Sequence, residues 1–221
     1  MGNLSEIELK ALAEQLSNPK GEAGVLTGHS MNIANDNMIR HAIDAIDIQP
    51  QSTILEIGPG NGKHISYLFG IESSIQYYGA DISDTMVQEA NMLNADLVQN
   101  QKAVFQVSDG EKLDYPDLFF NTVFTVNTIY FWKDPKTYLQ EISKILMSKG
   151  ALIIAFIPEY IMQNIPFSKF GFTLYSEAKI ISLLQDQDFT IEKVFSIEEE
   201  VLSNTGAIKN RTFTVIKAAK P

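Results

Sequence analysis

The sequence predicts an α/β protein: a doubly wound sheet of seven strands, mostly parallel, with helices ahead of it and an antiparallel hairpin strand at its C-terminal end. Three observations predict it. From Ser52 onward, short apolar runs rich in β-branched residues alternate with stretches of helical spacing, and parallel neighbours need such crossovers. The first run breaks at once into Gly58, Gly60 and Gly62, at the strand end where such sheets bind ligands. The last two runs, "FTIEKVFSI" and "RTFTVIKAA", leave no room for a crossover helix, so they pair antiparallel at one edge.

The elements follow in order. Up to about residue 20 the chain reads as a helix with Leu9, Leu12, Ala13 and Leu16 on one face, ending at Asn18-Pro19. "KGEAGVLTGHS" reads as a loop. Residues 31–47 read as a second helix, with Met38, Ile39, Ala42, Ile43 and Ile46 on one face. "TILEI" is the first strand, and Ile65, Leu68 and Phe69 mark the helix after its glycines. "IQYYGAD" is the second, and Ser83 caps the helix carrying Met86, Val87, Ala90 and Leu93. "KAVFQV" and "NTVFTVN" are the third and fourth strands. Asp134-Pro135 opens a helix carrying Tyr138, Leu139, Ile142, Ile145 and Leu146, with Gly150 as its stop. "ALIIAFI" is the fifth strand, and Ser176 opens a helix with Ile180, Ile181, Leu183 and Leu184. No repeat or linker divides the 221 residues, so one domain is expected, residues 1–221. Residues 1–47 form a helical lid on a core of residues 48–221.

Composition narrows the function. The chain is 45% hydrophobic, an ordinary globular value. Lys and Arg number 17 against 27 acids, for a net charge of −10. No basic stripe exists to displace counterions from a phosphate backbone, so neither nucleic acid nor an anionic membrane is an expected partner. There are no cysteines, which excludes disulfides, thiolate metal sites and a cysteine nucleophile. No metal site is expected. The N-terminus lacks a basic segment followed by an apolar core, so a cytoplasmic location is expected.

The glycines raise the sharpest question. Backbone after a first strand approaches a ligand closely, and glycine alone tolerates both that approach and positive φ. A dinucleotide fingerprint reads G-x-G-x-x-G, but its third position here is Lys63. The spacing is G-x-G-x-G, and Glu56 precedes it by two. A carboxylate opposes a pyrophosphate and welcomes an ammonium. A nucleoside carrying a cationic amino acid therefore suits the loop better than a dinucleotide. Asp81 ends the second strand, 23 residues after Gly58, where a carboxylate can accept from both ribose hydroxyls. Asp109 follows the third strand, placed either to meet an exocyclic amine or to cap a turn.

"ILEIGPGNG", "YYGADISDTM", "VSDGEKL", "FNTVFTVNTIYFWKDP" and "KGALIIAF" together resemble, in order, the motifs of class I S-adenosylmethionine-dependent methyltransferases. The likeness covers roughly residues 50–157 and is similar to the small-molecule branch related to ubiquinone and menaquinone biosynthesis. It implies the Rossmann-like methyltransferase fold and S-adenosyl-L-methionine as cofactor. It also implies that Gly58, Gly60 and Gly62 line the methionine and ribose part, with Glu56 near the ammonium. Asp81 then binds the ribose, Ile82 packs on adenine, Asp109 and the Gly110 backbone face the adenine edge, and Asn127 faces the methyl. Relatives that methylate amino groups of nucleobases carry two prolines where this chain reads Asn127-Thr128-Ile129-Tyr130, which argues against that substrate class.

A sulfonium methyl is already activated, so alignment is the expected catalytic effect and a base is needed only for a protonated acceptor. Tyr130 and Trp132 are candidates for the acceptor wall, and Phe131 reads as ordinary packing. His29, in "TGHSMN", and Tyr130 are the candidates for a catalytic role, and Met31 and Asn32 are placed to close over the cofactor. His41 reads as solvated and His64 as exposed or locally hydrogen-bonded. A small, partly apolar acceptor is the expected substrate. Two alternatives stay open: a non-catalytic protein that binds the cofactor, and an NAD(P)-dependent oxidoreductase.

Overall fold

The computed structural model describes residues 4–202 and 208–221. Its strands are β1 (Thr53–Ile57), β2 (Gln76–Asp81), β3 (Ala103–Val107), β4 (Phe120–Val126), β5 (Leu146–Phe156), β6 (Thr190–Leu202) and β7 (Ile208–Ala219). The helices are α1 (Glu6–Ser17), α2 (Gly21–Asp44), α3 (Ile65–Ile71), α4 (Asp84–Leu93), α5 (Ala95–Gln99), α6 (Pro135–Ile145), α7 (Glu159–Met162) and α8 (Glu177–Gln185).

The strands form one sheet in the order β3-β2-β1-β4-β5-β7-β6. Strands β1 to β5 run parallel. β7 sits between β5 and β6, antiparallel to both. This is the mostly parallel sheet with a terminal antiparallel hairpin that the alternation predicts, and the Rossmann-like methyltransferase fold that the resemblance implies. Its central strands are buried on both faces, which is why "TILEI" and "ALIIAF" read as continuous apolar runs rather than as alternation. Phe120, Phe124, Phe156 and Phe213 fill the core without exposure. The strand order reverses between β1 and β4, and that switch point opens a crevice at the carboxyl ends of the strands.

Short polar side chains set the helix starts. Ser83 Oγ accepts from Met86 N at 3.1 Å and starts α4. Asp134 accepts from Lys136 N and Thr137 N, with Pro135 at the first helical position of α6. Ser176 caps α8. At α1, Ser5 and Glu8 form a reciprocal capping box, a signal that the apolar spacing alone did not bring out.

The structure departs from the sequence reading at three places. The expected loop at residues 20–30 is helical, and α2 runs unbroken from Gly21 to Asp44. Its glycines are contact points rather than breaks. A Cβ on Gly24 would lie 2.6 Å from the Pro19 carbonyl carbon, and one on Gly28 would lie 2.5 Å from Met86 Sδ. Glycine lowers helix propensity by ~1 kcal/mol, but here it lets α2 approach α1 and α4. Secondly, Gly150 does not stop a helix. α6 ends at Ile145, and Gly150 lies where β5 bulges between its pairings at Leu146 and Ala151. Finally, the hairpin strands are longer than expected, pairing from Thr190↔Ala219 to Leu202↔Ile208.

Candidate functional site

A cavity of about 410 Å³ occupies the crevice. The ends of β1, β2, β3 and β4 form its floor, and α1, α2 and the Pro19 turn between them form its roof.

The three glycines divide into two kinds. All have positive φ: +73° at Gly58, +57° at Gly60 and +61° at Gly62. A Cβ on Gly58 would overlap Thr128 Cγ2, and one on Gly62 would come within 3.0 Å of Phe105. Packing inside the protein demands those two. Gly62 stands behind the cavity wall, against Phe105 and Asn94, so the expectation that it lines the ligand is corrected. Gly60 is different: a Cβ there meets no atom within 4 Å. It lines the cavity, so its left-handed backbone favours glycine while the space beside it is left open to a ligand.

Asp81 closes β2 beneath that loop. Its Oδ2 accepts from Gly60 N at 2.9 Å, and its Oδ1 accepts from Ser83 N at 2.9 Å. Burial pushes its carboxyl above the ordinary range, against the lowering effect of those two bonds. The next residue, Ile82, is 39% exposed at the cavity, an unusual position for a bare isoleucine. Gly110, at φ +74°, lies so close that a Cβ would reach Ile82 Cγ2 at 3.0 Å. Asp109 also lines the cavity, and its Oδ1 accepts from both Glu111 N and Lys112 N at 2.8 Å. Those bonds hold its carboxyl below the usual range. Asp109 is thus the turn residue that the sequence allowed, on a surface facing the cavity.

Glu56 is 1% exposed. Its Oε2 meets His64 Nε2 at 2.7 Å and the Tyr77 hydroxyl at 2.5 Å. Burial and the charge of Glu56 push the Tyr77 hydroxyl far up, so it donates. Of the two states expected for His64, exposed or hydrogen-bonded, the structure shows the second, because the first turn after the glycines folds it under the loop, buried against Glu56. His41 is likewise not simply solvated: its Nδ1 meets Asn37 O at 2.9 Å and its ring packs edge-on to Phe213.

The end of β4 supplies Asn127, at φ +58°. Asparagine is among the few non-glycine residues that adopt this left-handed backbone readily. Its side chain is held from two sides: Nδ2 donates to Asn35 Oδ1 at 3.2 Å, and Oδ1 accepts from the Tyr130 hydroxyl at 3.0 Å. Tyr130 does not line the cavity. It is 2% exposed, and its hydroxyl also accepts from Ile157 N at 2.6 Å. It braces Asn127, so its expected place on the acceptor wall or in catalysis is corrected. Phe131, expected only to pack, does line the cavity, beside Trp132. Trp132 Nε1 donates to Thr128 Oγ1 at 3.2 Å.

His29 faces away from the cavity, exposed on α2. The loop expected there is part of α2, and the helix turns the side chain outward. The same helix brings Met31, Asn32 and Asn35 to the roof. Asn35 escaped the sequence reading, as did Arg211, which pairs with Glu199 and donates to Ala34 O at 2.7 Å. Nothing local in the sequence links β7 to α2.

Comparison with known proteins agrees with this geometry. Residues 55–154 match the family model described as "Methyltransferase domain". The chain is 25% identical over 126 residues to "O-methyltransferase resE" of Aspergillus sclerotiorum, covering 57% of this chain and 47% of that protein. It is 24% identical over 125 residues to a glycine/sarcosine/dimethylglycine N-methyltransferase of Actinopolyspora halophila, covering 54% of this chain and 21% of that one. It therefore spans half or less of these relatives' length. A solved structure, the putative methyltransferase of Haloferax volcanii in complex with the Trm112 methyltransferase activator, superposes with a TM-score of 0.79 at 18% identity. That alignment covers 95% of this chain and 97% of the other. The matched segment, residues 55–154, is a methyltransferase domain of the class I S-adenosylmethionine-dependent type. S-adenosylmethionine is the methyl donor that this family implies. Among the described residues, no helix is long and apolar enough to cross a membrane.

Proposed function

We propose that the chain transfers a methyl group from S-adenosylmethionine to a small, partly apolar organic acceptor. One observation carries the reading: a single cavity combines a nucleoside-type floor with a mixed roof. On the floor are the open backbone at Gly60, the tethered carboxylate of Asp81 and the exposed face of Ile82. Met31, Asn32 and Asn35 come from the roof, and Phe131 and Trp132 from the side. A site with apolar walls and a few fixed polar groups suits a small organic ligand. The names of the two relatives, one an O- and one an N-methyltransferase, support that class.

The residues fit the donor. Asp81 would take the ribose hydroxyls, Ile82 and Gly110 would flank the adenine, and Glu56 with the Gly58–Gly60 backbone would sit at the amino-acid end. Asn127 would lie near the methyl. The donor, when bound, supplies a methyl activated on a positively charged sulfur. What remains for this chain is alignment and exclusion of water, effects worth ~7–11 kcal/mol in well-oriented systems. Neither candidate base serves: His29 faces outward, and the Tyr130 hydroxyl is committed to Asn127 and Ile157. The best acceptors therefore need no protein base, such as an ionised oxygen or a nitrogen lone pair.

Calorimetry with S-adenosylhomocysteine, followed by transfer assays on a panel of small phenols, carboxylates and amines, tests the reading. Binding together with formation of S-adenosylhomocysteine is expected. Binding without transfer to any acceptor would favour the non-catalytic alternative.

A further inference from the structure

Among the described residues, two buried side-chain polar atoms lack a hydrogen-bond partner, and one of them, His64 Nδ1, belongs to a residue on the cavity wall. The imidazole is 4% exposed, and its other nitrogen is fixed by Glu56 Oε2 at 2.7 Å. A buried polar atom left unpaired costs ~1–3 kcal/mol, so such an atom beside a cavity calls for a partner that enters from the cavity.

We infer that His64 is a positioning residue whose Nδ1 accepts a hydrogen bond from the ammonium of the donor's amino-acid tail. The inference rests on the methyl-donor reading above and adds a residue to it. Glu56 Oε2 receives two donors, the His64 Nε2–H and the Tyr77 hydroxyl. With Nε2 donating, the neutral ring offers Nδ1 as an acceptor. Glu56 places a buried carboxylate directly behind His64, and its charge raises the local preference for a cation. An ammonium is the tail group that is both cationic and a donor. A chain then runs from the ammonium through His64 to Glu56, with Tyr77 holding the carboxylate from behind. In this arrangement the unpaired nitrogen is paired only in the complex. Its cost is carried by the free protein and recovered on binding.

The experiment compares two ligands: S-adenosylhomocysteine, which has the tail, and 5′-methylthioadenosine, which lacks it. The variant His64→Phe keeps a ring in that place and has no acceptor in the position of Nδ1. S-adenosylhomocysteine should bind His64→Phe about tenfold or more weakly, the loss of one charge-assisted hydrogen bond. Methylthioadenosine should bind variant and wild type alike. The wild-type protein labelled with ¹⁵N-histidine gives a readout free of any folding defect. The Nδ1 resonance of the buried ring, assigned through its slowly exchanging Nε2 proton, should stay unprotonated. It should shift with S-adenosylhomocysteine and not with methylthioadenosine. Equal weakening of both ligands, an unchanged affinity for S-adenosylhomocysteine, or a protonated Nδ1 in the complex overturns the inference. If neither nucleoside binds the wild type, the methyl-donor reading itself fails and takes this inference with it.

Discussion

The amide of Gly60 donates to Asp81 Oδ2 at 2.9 Å. One bond thus ties the glycine turn after β1 to the carboxylate that closes β2. It fixes the loop and aims the carboxylate together. With Ser83 N on its other oxygen, Asp81 is held in one orientation before any ligand arrives, and preorganisation of this kind lowers the entropy lost on binding. Asp81→Ala removes the acceptor and frees the loop. S-adenosylhomocysteine should bind ~1.5–3 kcal/mol more weakly, as measured by calorimetry. An analogue without either ribose hydroxyl should lose much less. An unchanged affinity for S-adenosylhomocysteine would take Asp81 out of the site.

The same carboxylate makes stability and binding move in opposite directions with pH. Burial raises its folded pKa above that of the unfolded chain, so its protonated form is the one that folding favours. The stability it confers is full below the unfolded value of about 3.9 and is lost as pH rises through the higher folded value. Ribose hydroxyls donate, so binding prefers the ionised form. Measured against Asp81→Asn, the wild type should lose relative stability between about pH 4 and neutrality, by denaturant titration. Over the same window its affinity for S-adenosylhomocysteine should rise. A flat stability difference would mean that Asp81 is not desolvated.

Gly60→Val separates ligand space from protein packing. The Cβ meets no protein atom within 4 Å, so the cost to the fold is the left-handed backbone alone, ~1–2 kcal/mol. The folded variant should not bind S-adenosylhomocysteine detectably. Gly58→Val carries the same strain and also drives a branched side chain into Thr128, so it should melt well below Gly60→Val. Near-normal affinity in folded Gly60→Val would remove the loop from the site.

Much of this was legible in the sequence, and the rest was hidden for identifiable reasons. The sheet was readable because "TILEI" and "ALIIAFI" are apolar runs at crossover spacing, and Ser83 and Asp134 are local caps. Gly58 and Gly60 were readable as cavity residues because a strand-to-helix turn is local too. The helical state of residues 20–30 is not legible in this way, because it depends on the neighbours that Gly24 and Gly28 admit, Pro19 and Met86. The outward place of His29 and the inward place of Asn35 follow from that helix. Nearness along the chain to the end of β4 does not bring Tyr130 to the cavity. A 3₁₀ turn at Ile129–Phe131 instead points it inward and brings Phe131 to the wall. The pairs His64–Glu56 and Asn35–Asn127 join residues 8 and 92 positions apart. Tertiary packing made those pairs, and no local pattern announces them.

The roof of the cavity gives the last prediction. α1 buries only Ala13, yet Leu16 and Ser17 at its end and Pro19 just beyond it line the cavity. It closes the site while adding little to the core. Pro19 O accepts from Ser83 Oγ at 2.5 Å, and Ser83 also donates its amide to Asp81, so the end of the roof is tied to the floor through one serine. Deleting residues 1–20 should lower the melting temperature by only a few degrees, the effect of ~1 kcal/mol in a domain of this size. The same deletion should cut kcat/KM for methyl transfer by at least about tenfold, because water enters and the donor loses one wall. A deletion to residue 30 would cut through α2 and strip the Gly28 contact from Met86, so it would confuse lid loss with unfolding. Two results would count against a lid over a small acceptor. One is full activity in the 1–20 deletion. The other is saturable methylation of DNA or RNA by the intact chain, whose net charge of −10 opposes a polyanion.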